Sequence, residues 1–269
     1  IGDWSSDVCS SDLRIIQTIG ENIMDNTKYI ALSRQMALWK QMDIVSNNMA
    51  NMNTSGYKQD DAIFASYLTQ TKNAEGFGRV PVYFTQDFGM YKDFKEGAIV
   101  HTGNTFDLAL QGDAFFAIET PEGERYTRKG QFQLDADGQL VTSEGYAVMS
   151  ENNEPFFIAP GETEISVAEN GEVFTENGVI GRIKTVSFAN NQKLLKVADT
   201  MFENTAGNMM QPAANAKVVQ GAVEKSNVDP ITEMTKMIKL QRSYEMVQSM
   251  IDEEHDRISN TISTYSQLA

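Results

Sequence analysis

The stretch from Asp229 to Ala269 constrains the fold more than any other part of the chain. Asp229-Pro230 supplies an N-cap followed by proline at the first helical position, where a missing N–H costs nothing. Beyond it Met237, Leu240, Tyr244, Val247, Ile251, Ile258 and Tyr265 fall on a seven-residue repeat, with Glu254 and Thr261 as lapses on the same seam and Ile262 marking its drift to a neighbouring position. The pattern predicts one helix of about nine turns. A single apolar seam of that length is stable only when another helix covers it.

The partner expected for it lies at the other end of the chain. Residues 26–52 carry Leu32, Met36, Trp39, Met42, Val45, Met49 and Met52 at spacings of three and four, the signature of an amphipathic helix, and Asn53, Thr54 and Gly56 supply its stop. Four asparagines, Asn47, Asn48, Asn51 and Asn53, crowd its end. Asparagine costs a helix up to ~0.7 kcal/mol per position relative to alanine, because its amide competes for nearby backbone groups. Something outside the helix is therefore expected to compensate. At about 100° per residue, Asn47 and Asn51 face away from the stripe of Val45, Met49 and Met52, while Asn48 borders it. An amide both donates and accepts, so Asn47 and Asn51 suit directional contacts between helices, against the plainer alternative of a solvated polar face.

The middle of the chain reads differently. Short β-rich runs alternate with turn dipeptides: Phe115–Ile118 before Pro121-Glu-Gly123, Phe132–Leu134 before Asp137-Gly138, Ile165–Val167 before Asn170-Gly171, and Val179-Ile180 after Asn177-Gly178. The expected fold is therefore α+β: a central antiparallel β domain over 101–192, with long N- and C-terminal helices that pair as a coiled-coil-like stem. Polar connectors over 59–100 and 193–227 join the β domain to the N-terminal helix of 24–58 and the C-terminal helix of 228–269.

Residues 1–23 fall outside this scheme. Gly2 to Leu13 resembles the in-frame translation of a sequencing-library adapter, so 1–23 is expected to be an artefact or upstream sequence, with translation starting at Met24. That leaves 246 residues, no cysteine, and a net charge of −12 in place of −15. Most of the acidity sits in residues 59–227, with 13 basic and 24 acidic side chains. This balance argues against a nucleic-acid partner, which needs clustered lysine and arginine. No apolar run is long enough to insert in a membrane, and no basic n-region with an apolar h-region and cleavage site follows Met24. His101 and His255 are the only histidines. His255 lies among Glu253, Glu254 and Asp256, which read as a solvated helix face before a metal site. Asp135-Ala-Asp-Gly138 lacks the rest of a calcium loop and reads as a hairpin turn. No catalytic, cofactor, metal or small-molecule substrate site is expected.

Three separate stretches, in order, resemble the axial proteins of the bacterial flagellum, the rod and hook family. Ser46 to Lys58 is similar to the family's N-terminal signature, with Ser46 in place of alanine and Met49 in place of a branched aliphatic. Gly103 to Ile118 and Tyr126 to Phe132 resemble the central core; Gln220 to Asp229, Glu233-Met234 and Gln241 to Glu245 resemble the C-terminal signature. Within the family, Met24 to Gln35 is most similar to proximal-rod members. The resemblance implies a structural subunit of the periplasmic rod of the basal body, exported through the flagellar type III apparatus, with other rod proteins as axial neighbours. Assembly contacts are then expected from Leu32, Met36, Trp39, Val45, Asn47, Asn48, Met49, Asn51, Asn53 and Gly56 at one end. At the other they come from Gln220, Gly221, Asn227, Met237, Gln241, Tyr244, Val247 and Ile251. The alternatives are a distal-rod or hook paralogue, or a module in which the β domain binds a surface ligand and the helices only oligomerise.

Overall fold

A computed structural model describes residues 8–70, 81–159, 162, 164–198, 200–205, 207–213 and 216–268, with side chains described from residue 29 except at 65–70, 81–88, 265, 267 and 268. The fold is α+β. Helix α1 spans Val8–Ala50, helix α2 spans Pro230–Leu268, and mostly antiparallel sheets lie between them in sequence. Residues 1–7 of the segment expected to be foreign, and the side chain of Tyr265 in the predicted seam, lie outside what is described; α1 begins at Val8.

The described residues form two compact units. One draws on residues 8–46, 61–70, 81–90 and 234–268. Its apolar cluster joins Ala31 and Leu38 of α1 to Val247 of α2, with Leu240, Tyr244 and Ile251 packed on it. Gln35 donates to the side-chain oxygen of Gln248 at 2.6 Å beside this cluster. Of the C-terminal repeat, Leu240, Tyr244, Val247 and Ile251 belong to this cluster. The face of α1 that meets it is different from the stripe expected.

Ala31, Leu38 and Val45 are seven apart and buried, whereas Leu32, Met36 and Trp39 are between 48% and 66% exposed. Helical geometry explains the difference. Each step of three residues falls about 60° short of a full turn, so a stripe spaced mostly by threes winds around the helix instead of following one face. Leu32, Met36 and Trp39 sit about 100–160° from Leu38, while Val45 and Met49 have come round to within about 20° of it.

The second unit comprises Asn47–Asp60 and Tyr91–Glu233. Its main sheet has nine strands. Along it run Leu194–Ala198, Met201–Asn204, Gly123–Thr127, Phe115–Thr120, Ala147–Val148, Leu140–Thr142 and Phe132–Leu134, while Thr185–Phe188 pairs with both Phe115–Thr120 and Met210–Pro212. Phe115–Thr120 begins as a continuous apolar run because both of its faces are covered. Phe116 and Ile118 enter one core with Leu108, Leu110, Phe132, Leu140 and Phe156, and Phe115 and Ala117 enter another with Tyr126, Leu194 and Phe202. Aromatic edges organise the second core: Phe94 lies 5.8 Å from Phe115 and 5.6 Å from Phe202, and Tyr126 lies 4.8 Å from Phe188, centroid to centroid.

The turns read from sequence occur where expected. Asp135 accepts from the backbone N–H of Asp137 and of Gln139, and Gly138 follows with φ +87° where a β-carbon would stand 2.4 Å from the Ile158 carbonyl oxygen. The stretches expected as connectors carry strands of their own: Gln59–Gln70 pairs with Pro81–Asp93, Lys217–Gln220 with Leu108–Gln111, and Ala222–Glu224 with Ile99–His101. The last two ladders join residues about a hundred positions apart, which no local alternation reveals.

Candidate assembly interface

The asparagine-rich end of α1 is the hub of the second unit. Asn48 is fully buried, and its amide makes four hydrogen bonds. The amide nitrogen donates to the Asp60 carbonyl at 2.8 Å and to the Glu233 carboxylate at 3.2 Å; the oxygen accepts from the Asp60 N–H at 3.1 Å and the Tyr57 hydroxyl at 3.2 Å. This is the full capacity of a primary amide, so the helix penalty of asparagine is offset by a satisfied buried network. Lys196 reaches the same corner, 2.9 Å from the Asp60 carboxylate and 4.1 Å from the centre of the Tyr57 ring.

Gly56 turns the chain out of the helix. Its φ is +71°, and a β-carbon there would stand 2.4 Å from the Lys129 nitrogen and 2.5 Å from the Arg128 carbonyl carbon, so only glycine fits. Its N–H donates to the Glu224 carbonyl at 2.8 Å. Two residues on, Lys58 enters a buried ionic node. Its ammonium donates to the Glu224 carboxylate and to the Lys95 carbonyl, both at 2.6 Å. Glu224 also accepts from the Gly97 N–H at 2.9 Å and from Arg128 Nε at 2.9 Å. Arg128 in turn donates to the carbonyls of Gly112 and Ala114, each at 2.6 Å. Burial pushes the Lys58 ammonium below its ordinary range; Glu224 pulls it partly back, and Arg128 adds to the fall. Three chain segments, through Lys58, Gly97 and Arg128, meet at the Glu224 carboxylate.

The C-terminal signature residues serve the same unit. Gln220 donates to the carbonyls of Thr105 and Ile165 and accepts from the Val167 N–H. The Gly221 N–H donates to the Asp107 carbonyl at 2.8 Å. Asn227 accepts from the Gln59 N–H at 2.8 Å and donates to the Asp93 carbonyl at 2.7 Å. Asp229 caps α2, accepting from the Ile231 N–H and the Thr232 hydroxyl. The Thr232 hydroxyl is the main cause holding the Asp229 carboxyl below its ordinary range, with the Ile231 and Thr232 backbone adding to it.

The expected site residues therefore separate into two groups. Asn48, Gly56, Gln220, Gly221 and Asn227 form the internal joint of the second unit. In the first unit Val247, with Tyr244 and Ile251 packed beside it, belongs to the helix cluster. Val45 is buried, while Met49 and Met237 are half-buried. Leu32, Met36, Trp39, Asn47, Asn53 and Gln241 are exposed; Asn51 is half-buried and bonded locally, its amide donating to the Asn47 carbonyl and accepting from the Thr54 hydroxyl. The assembly contacts expected from sequence do not include the exposed Met234, Ile238, Met246 and Met250 of α2, nor Tyr57, Lys58, Arg128, Glu224 and Glu233. Lys58, Arg128, Glu224 and Glu233 all lie within the signature stretches, and that was the signal available for them.

Among the described residues no helix is long and apolar enough to cross a membrane, and no group of three or more His, Cys, Asp or Glu is placed to hold a metal ion.

Comparison with known proteins matches three family models along the chain. They are "Flagella basal body rod protein" over 29–58, "Flagellar hook protein FlgE/F/G D1 domain" over 109–175, and "Flagellar basal body rod FlgEFG protein C-terminal" over 219–264. Flagellar basal-body rod protein FlgF of Caulobacter vibrioides is 39% identical over 230 residues, covering 85% of this chain and 93% of the relative. FlgF of Mesorhizobium japonicum is 29% identical, covering 90% and 98%, and the rod protein FlgG of Bacillus subtilis is 31% identical, covering 81% and 90%. The first and third family models meet in the joint built on Asn48, Lys58 and Glu224, and the middle one begins within the strand that carries Ala109. The chain belongs to the flagellar basal-body rod protein family, as a structural subunit of the rod, and among these relatives it is most similar to a FlgF.

Proposed function

We propose that this subunit takes its place in the rod through the outward faces of its terminal helices, which pair with each other along their inner seams as a coiled-coil-like stem. The observation that carries the reading is the set of exposed apolar side chains on each helix away from the cluster between them. On α1 they form one face of Tyr29, Leu32, Met36 and Trp39; on α2 they flank the seam of Leu240, Tyr244, Val247 and Ile251, with Met234 and Ile238 about 110–150° to one side and Met246 and Met250 about 90–130° to the other. Large apolar side chains aligned on a helix face and left in water mark a protein contact. Each such side chain gains about 1.5–3 kcal/mol when fully covered, so a handful suffices for a stable axial contact. A heterologous contact of this kind, repeated without closing, generates a helical assembly.

In this reading Asn47, Asn51, Asn53 and Gln241 supply polar contacts at the rim of those faces, and the acidic β domain stays solvated. The subunit works without catalysis, travels through the flagellar type III export apparatus, and meets other rod proteins in the periplasm. Replacing Leu32, Met36 and Trp39 together with serine tests it. The variant should fold with unchanged helix content and fail to co-purify with basal bodies or restore motility to a strain lacking the gene; normal incorporation refutes the proposal.

A further inference from the structure

We propose that Met36, Met234, Met246 and Met250 form an oxidant-sensitive modification site, at which conversion of the thioethers to sulfoxides switches off the helix contacts. The contact half of the proposal rests on the assembly reading above. These four side chains are between 53% and 74% exposed; Met36 lies between Leu32 and Trp39 on the outward face of α1, and on α2 Met234 lies beside Ile238 on one flank of the seam and Met246 beside Met250 on the other. The chain holds 14 methionines and one cysteine, so thioethers are its main oxidisable sulfur. Thioethers suit such a face because the unbranched side chain adapts to an irregular partner surface. The same property leaves the sulfur open to attack.

Hydrogen peroxide is the oxidant class the chemistry requires. A sulfur lone pair attacks one peroxide oxygen, the O–O bond breaks, an S–O bond forms and water leaves; sulfur loses two electrons and peroxide gains them. The product is a polar, chiral acceptor in place of an apolar chain, and methionine sulfoxide reductases reverse the step. A sulfoxide buried against an apolar partner without a donor weakens the contact on the order of tenfold per site. Two other methionines serve as internal controls. Met209 is as exposed as the helix set and lies near the strand Met210–Pro212 of the other unit, and Met149 is only 7% exposed within the aromatic core.

The test treats the purified full chain with graded hydrogen peroxide. Peptide mass spectrometry then locates added oxygen, and co-sedimentation with basal bodies from a strain lacking this subunit reads the contact. Met36, Met234, Met246, Met250 and Met209 should gain oxygen well before Met149. Co-sedimentation should fall at least tenfold and return after sulfoxide reductase. Binding by the combined M36L/M234L/M246L/M250L variant, measured against its own untreated state, should be insensitive to peroxide, while M209L should lose binding on oxidation as the parent does. Equal oxidation of Met149, or equal loss of binding by the fourfold variant, overturns the inference. If untreated chain binds and fully oxidised chain binds equally well, the inference alone fails; if untreated chain does not bind, the assembly reading fails and takes the switch with it.

Discussion

Replacing Glu224 with glutamine removes the one carboxylate that both Lys58 and Arg128 share. Glu224 is 1% exposed and accepts four hydrogen bonds: from Lys58 at 2.6 Å, from the Gly97 N–H at 2.9 Å, and from Arg128 Nε at 2.9 Å and Nη2 at 3.5 Å. The glutamine amide keeps one acceptor atom but turns an NH2 toward buried cations. The remaining counter-charge is Glu96, half-exposed and 3.9 Å from Arg128. Removing one partner of a buried ion pair costs about 3–5 kcal/mol, because the other charge stays uncompensated. A domain's whole stability is about 5–15 kcal/mol, so the second unit should become marginal. In urea, at about 1–3 kcal/mol per molar, the midpoint should fall by more than about 1 M with the slope unchanged. Pairing the change with Lys58→Met removes one orphaned cation and should recover part of the loss, a coupling of about 0.5–3 kcal/mol. The exposed surface pair Lys217–Glu169 is the control, and Glu169→Gln should leave the midpoint unmoved. A midpoint for Glu224→Gln that matches this control, or strictly additive effects of the two node substitutions, refutes the reasoning.

Further outcomes follow from the same joint. Asn48→Leu removes the hydrogen bonds of its amide to the Tyr57 hydroxyl, the Asp60 N–H and carbonyl and the Glu233 carboxylate together, and should cost about 3 kcal/mol or more in the same urea assay. Gly56→Ala places a β-carbon 2.4 Å from backbone and should cost at least about 2 kcal/mol, whereas alanine at Gly145, with nothing within 4 Å, should cost less despite its similar φ. Because the folded Asp229 carboxyl titrates below its ordinary value of 3.8, its cap on α2 is fully in place above that value and is lost as pH falls through the folded pKa. Amide exchange in the first turn of α2 should accelerate over that acid window, and Asp229→Asn should flatten the pH dependence.

Much of this was legible in the sequence, and the part that was not has a physical cause. The seven-residue repeat of α2 marked out Leu240, Tyr244, Val247 and Ile251, which cluster with Ala31 and Leu38, because a seam held at seven residues stays on one side of a helix. The stripe on α1 misled, because mostly three-residue steps wind around the helix and lead from the outward Leu32 to the inward Val45. Turn dipeptides located the hairpins, since Asp135 and Gly138 act within a few residues of each other. Asn48 read as a border residue because its partners Tyr57, Asp60 and Glu233 come from separate segments. The Lys58–Glu224–Arg128 node was hidden for the same reason: an ion pair across 166 residues leaves no local periodicity.

Thiol labelling most directly tests whether the outward helix faces are the contacts that build the rod. In a chain with Cys9 replaced by serine, Trp39→Cys and Leu195→Cys each place one thiol at a position where the free subunit is more than half exposed, on α1 and on the strand Leu194–Ala198 respectively. A maleimide should label both readily in the free subunit. In intact basal bodies the thiol at position 39 should be protected while the thiol at 195 still reacts. Equal labelling at position 39 in the free and assembled states would contradict the account.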